Sequence, residues 1–182
     1  MIFSQRKGLT KIKDLIQKDS MDDELRTSLW NVLYANYWGD AIKTNDFRIF
    51  DILMRRIWVE YYKMPADELP PDINEYNFTK PYETVRKNFY RCEWFKVYDF
   101  LEFIVNCYDE IEHLNSTVIN ACNIMLEREL SAYRFVGKKI KPITDDQEIE
   151  TIEKALISVS EMTPVREHLQ CSINHLSDKK KH

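Results

Sequence analysis

Three glycines in 182 residues, Gly8, Gly39 and Gly137, each isolated, set the tightest limit on what this chain can build. Sandwiches and barrels need many tight turns, and such turns need residues that accept positive φ. A chain this poor in glycine is expected to be helical. The same scarcity removes the phosphate-cradling loops, because neither G-x-G-x-x-G nor G-x-x-x-x-G-K-[ST] can be written anywhere in it.

Apolar residues recur at three- and four-residue steps along most of the chain, as a half-buried helix requires. Leu9, Ile12 and Ile16 predict a first helix over residues 10–17. Ser20 with Asp23 reads as a capping box, and the acidic first turn Asp22, Asp23, Glu24 suits the positive end of the helix dipole. The second helix, with Leu25, Leu29, Val32, Leu33 and Tyr37 inward, is expected to end near Gly39. A third spans residues 45–62 through Phe47, Phe50, Leu53, Met54, Ile57, Trp58 and Tyr61. Prolines 65, 70, 71 and 81 bound an irregular connector over 64–81, a point at which two subdomains could divide.

Residues 82–108 read as one long central helix, with apolar positions around much of its circumference. Asn115 and Ser116 are placed at the start of the next, which carries Val118, Cys122, Met125, Leu126 and Leu130 and fades near Tyr133. Around Gly137, residues 133–141 alternate as a two-stranded hairpin does. Thr144 with Gln147 opens a further helix, and Thr163 with Pro164 a last one. The expected fold is therefore mainly α, a bundle of about six to eight helices with one short β-hairpin near 133–141. Residues 1–176 form a single helical domain in this reading, and residues 177–182 a basic tail or truncation point.

Composition narrows the functions. With 44% apolar and 13% aromatic residues the chain is too hydrophobic for intrinsic disorder. Its 26 basic and 30 acidic residues, net −4, provide no global field for nucleic acid or anionic lipid. Charges interrupt every apolar run well before membrane-spanning length, and the first residues lack a secretory core; a cytoplasmic protein is expected. The cysteines, at 92, 107, 122 and 171, include no C-x-x-C pair, which fits a reducing compartment.

Three constellations carry some chemistry. His168, Cys171 and His175 share a helix face, but the two histidines lie roughly 10 Å apart along the axis, too far for one tetrahedral ion. No metal and no cofactor is expected. His113, beside Glu110 and Glu112, has the residue types for proton transfer in a place where a solvated histidine is the ordinary outcome. The third is a basic cluster, Arg128, Arg134, Lys138, Lys139 and Lys141, interleaved with Tyr133 and Phe135. Such a cluster can hold phosphates and stack a base; equally, lysines on a short ribbon protect its edge from pairing with another chain.

Specific strings carry a resemblance: Phe3-Ser4-Gln5-Arg6, Ser20-Met21-Asp22, residues 29–34 (LWNVLY), and residues 133–140 (YRFVGKKI) followed by Pro142-Ile143-Thr144. In order and spacing they resemble the amino-terminal domain of AbiJ-like abortive-infection proteins, type four, from Phe3 to about Ser177. The resemblance implies a helical sensor or regulatory module of a phage-defence system, joined to a carboxy-terminal HEPN ribonuclease domain with an R-x₄₋₆-H motif. The histidines here, at 113, 168, 175 and 182, have no arginine at that spacing before them, and no HEPN region follows Ser177. The expectation is a non-enzymatic regulatory or protein-interaction module that acts with a HEPN-type effector in cis or in trans. A homodimer is compatible with it. The alternative is an RNA-binding module using the basic hairpin over residues 134–141.

Overall fold

The structure, a computed structural model, describes residues 15–107 and 109–143. Among them it is mainly helical, with one two-stranded antiparallel sheet. Five continuous helices are present, fewer than the six to eight expected: α1 (residues 23–44), α2 (48–61), α3 (Thr79–Arg91), α4 (Trp94–Asn106) and α5 (Glu112–Arg128). The helices expected from Thr144 and from Thr163 lie outside the described residues, as does most of the one expected over 10–17. Its last residues, Leu15 to Gln17, are not helical; Gln17 instead forms a parallel bridge with Ser131.

Helix α1 starts at Asp22, not at Ser20: the Leu25 N–H donates to Asp22 Oδ1 at 2.8 Å, while the Asp22 N–H is held by Gln17 Oε1 at 2.6 Å. It runs through Gly39 instead of stopping there. The stretch Tyr34–Trp38 is π-helical, and the Gly39 N–H reaches back five residues to the Tyr34 carbonyl. Gly39 keeps right-handed helical angles (φ −65°, ψ −34°), and the left-handed residue that ends the helix is Asn45 at φ 58°. Helix α2 also closes in a π turn, Ile57–Tyr61.

The helix expected over 82–108 is two helices. Cys92 and Glu93 are extended (ψ 161° and 152°), and a side chain from far upstream accounts for the break. Buried Arg26 of α1 donates through Nη1 to the Phe89 carbonyl at 2.7 Å, placing a cation on the negative end of the α3 dipole. Helix α5 begins three residues before the expected cap, and Asn115 lies inside it, fully buried. It ends earlier than Tyr133, because Leu130 takes φ 55° and the Ser131 N–H bonds the Leu126 carbonyl in a Schellman closure.

The core is aromatic: Trp38, Trp58, Phe50, Phe89 and Phe100 have almost no exposed surface. The proline-rich connector contributes to it through buried Leu69 and Ile73. Asp51 Oδ1 accepts from the Ile73 N–H at 2.9 Å, Arg55 Nη2 donates to the Pro70 carbonyl at 2.6 Å, and Trp58 Nε1 donates to the Pro65 carbonyl at 2.9 Å. Residues 64–81 thus lie against α2.

Buried titratable groups make stability fall in alkali. Burial pushes the Cys122 thiol and the Tyr98 hydroxyl up to about 12 from ordinary values of 9.0 and 10.0, and raises Tyr37 as well. In each case the folded state holds its proton at a pH where the unfolded chain releases it, so the stabilisation is complete below the unfolded pKa and declines above it. Arg134, pushed down to about 10 by burial, works in the opposite sense above that pH. Unfolding free energies from urea titrations are expected to be flat to about pH 9, then to fall by about 1.4 kcal/mol per unit from Cys122 and more steeply above pH 10, where Tyr98, Tyr37, Tyr61 and Tyr62 outweigh Arg134. A profile flat to pH 11.5 would contradict this burial.

Candidate functional site

The basic hairpin is where sequence placed the chemistry. Tyr133–Val136 (β1) and Lys139–Pro142 (β2) pair antiparallel with Val136 opposite Lys139 and Phe135 opposite Ile140. Gly137, at φ 62°, leads the two-residue turn, the position where a II′ turn wants glycine. The expected hairpin is present.

Its edges are closed by helix side chains. In the register that pairs Val136 with Lys139, the backbone groups of Phe135 and Ile140 point outward. The Phe135 N–H donates to Asn123 Oδ1 at 2.8 Å and its carbonyl accepts from Asn123 Nδ2 at 3.1 Å, so one amide of α5 stands in for a neighbouring strand. On the other side the Ile140 N–H donates to Glu102 Oε1 at 2.5 Å, and Asn106 Nδ2 donates to the Lys138 carbonyl at 3.0 Å. Replacing Asn123 by alanine is expected to cost about 2 kcal/mol and to speed exchange of the Phe135 amide about thirtyfold, measured by hydrogen exchange. Unchanged protection there would show that the amide bracket is not what holds the hairpin.

The five cations are not gathered into one patch: Lys138 pairs with Glu112 at the start of α5 and Arg128 lies at its end, about 24 Å along the axis, and four of the five are already engaged. Arg128 pairs with Glu129 at 2.8 Å and donates to Ser28 Oγ at 2.8 Å. Lys138 pairs with Glu112 at 2.5 Å and Lys139 with Glu102 at 3.2 Å. Arg134 Nη1 turns back onto the Ser131 and Tyr133 carbonyls at 2.8 and 2.7 Å, with Glu127 as its electrostatic counterweight. Lys141, exposed, makes no ion pair among the described residues. The interleaved rings face inward: Phe135 is buried, and Tyr133 packs on Tyr98 and Trp94 with centroids 5.1 and 6.0 Å away.

His113 is exposed on the first turn of α5. His168, Cys171 and His175 lie outside the described residues. Among those described, no group of three or more His, Cys, Asp or Glu side chains is placed to hold a metal, and no helix is long and apolar enough to cross a membrane. Cys92, Cys107 and Cys122 are not joined in a disulfide.

Sequence reasoning passed over two buried polar contacts, Arg26 on Phe89 and the Tyr37 hydroxyl donating to Asn115 Oδ1 at 2.7 Å. The only signal for either was a polar residue at a core-facing helical position. It also passed over the cations of α3, Lys80, Arg86, Lys87 and Arg91.

The family model described as AbiJ N-terminal domain 4 matches residues 1–158. No curated protein and no solved structure matches the chain. A match over that much of a 182-residue sequence agrees with the strings that carry the resemblance, and the chain belongs to the AbiJ N-terminal domain 4 family.

Proposed function

We propose that this chain is a non-enzymatic regulatory or protein-interaction module of an abortive-infection system, acting on a HEPN-type effector in cis or in trans. Family membership supports the link to abortive infection. Within these residues no arginine stands at nuclease spacing before a histidine, so any RNA cleavage belongs to the partner. One structural observation favours this reading over an RNA-binding hairpin. Four of the five cations are spent on Glu102, Glu112 and Glu129 and on backbone carbonyls, and a phosphate bound to them would have to displace those partners.

Two measurements test the proposal. The purified chain is expected to leave labelled RNA intact with or without divalent metal, and to alter the cleavage rate of a HEPN-domain protein encoded beside it. Turnover that survives purification and disappears on a point mutation in this chain would reject the non-enzymatic reading. A neighbouring HEPN protein whose rate and migration are indifferent to the chain would reject the effector.

A further inference from the structure

Helix α3 buries Pro81, Val85 and Phe89 and turns its opposite side to solvent. That side carries Lys80, Arg86, Lys87 and Arg91, all exposed, against one carboxylate of the helix, Glu83. Lys80, Lys87 and Arg91 fall at seven- and four-residue steps, a single stripe about 16 Å long at 1.5 Å per residue. Unlike Arg128, Lys138 and Lys139, none of the four forms an ion pair among the described residues. A chain of net charge −4 thus concentrates uncompensated positive charge on one helix face.

Aromatic rings flank the stripe at both ends. Lys80 lines a cleft of about 430 Å³ together with Tyr76, whose side chain stands 89% exposed, with Glu68 as the one carboxylate in the lining. Toward the other end Arg86 lies over the Tyr90 ring, 5.1 Å from its centroid. Isolated cations on a helix suit any acidic partner. Cations beside an exposed aromatic face, such as Lys80 beside Tyr76, suit one whose phosphates are separated by stackable bases.

We propose that the outward face of α3 binds single-stranded nucleic acid, with Lys80, Arg86, Lys87 and Arg91 on phosphates and Tyr76 as a stacking surface. A stripe of this length accommodates a few nucleotides, within the span usual for one small binding module. The inference does not depend on the HEPN effector: a chain that ignores that effector can still bind a strand here, and the reverse.

The test is fluorescence anisotropy of labelled RNA and DNA oligonucleotides of about ten nucleotides with the full chain. Binding is expected at about 50 mM salt and, for three phosphates neutralised, about twentyfold weaker at about 200 mM. Lys80→Glu with Lys87→Glu is expected to weaken binding more than tenfold while leaving the thermal midpoint in place, since neither side chain is in an ion pair and no carboxylate is added to the last turn of α3. Tyr76→Ala is expected to weaken it about fivefold. Lys141→Glu on the hairpin is expected to stay within twofold of the parent. Binding of either oligonucleotide in this pattern supports the proposal, and the tighter of the two identifies the sugar preferred. No binding at low salt, affinity indifferent to salt, or affinity unchanged by the α3 reversal would overturn it. So would displacement by an oligo-glutamate peptide of equal charge combined with no effect of Tyr76→Ala, because the surface would then be reading charge alone, as for an acidic protein.

Discussion

Alanine at position 26 is expected to destabilise the protein by about 3 kcal/mol, lowering the thermal midpoint by about 6–12 °C for a chain of this size. Arg26 is 7% exposed, and its guanidinium donates to the last free carbonyl region of α3 at Phe89, with Cys92 Sγ at 3.7 Å. Removing it leaves that carbonyl only the weak thiol donor of Cys92, at 3.3 Å, and empties the space filled by the aliphatic stem. Arg26→Met separates the two contributions: it refills the space without the donor, and is expected to recover about half of the loss. Urea unfolding of both variants measures this. A cost below about 1 kcal/mol for alanine would mean that the α3–α4 break holds without the cation.

The second large effect is a reversal of sign at Gly39. In an open helix interior, glycine to alanine stabilises by about 1 kcal/mol. Here a Cβ would stand 2.9 Å from the Tyr34 carbonyl oxygen and 3.2 Å from Tyr34 Cε1. The ring can swing aside, but the carbonyl cannot, because it already accepts the Gly39 N–H in the π turn. Gly39→Ala is therefore expected to destabilise by about 2 kcal/mol and Gly39→Val by about 4. A stabilised alanine variant in thermal melts would show that the π turn relaxes to a regular helix at no cost. The same turn sets the buried Trp38 beside Phe50, with ring centroids 6.0 Å apart, so a loosened turn would reach the core directly.

Features whose cause is local were readable from residue order. The hairpin is one: alternation on either side of a single glycine specifies both strands and their register, since shifting the pairing by one residue would turn Phe135 to solvent. The inward faces of α1, α2 and α5 are others, with Leu25, Leu29, Phe50, Leu53, Val118 and Leu126 all buried as their spacing requires. Gly39 was misread because the same residue suits a helix end and a close backbone approach, and periodicity does not distinguish them.

The candidate site divides in the same way. Its positive charges are visible at 128, 134, 138, 139 and 141, but their partners Glu102 and Glu112 come from helices well upstream, so compensation cannot be read from the cluster itself. On α3 the opposite holds: the cations are unremarkable as residues, and matter because none of them forms an ion pair among the described residues. Sequence by itself determined a helical chain with one hairpin and assigned most core positions, because periodicity and turn chemistry act between near neighbours. Tertiary structure alone decided where the central helix breaks, which helix end receives Arg26, and which basic residues are left without a counter-charge. Those outcomes depend on Coulomb and hydrogen-bond contacts between residues far apart in the chain, over distances of a few ångströms that no local pattern encodes.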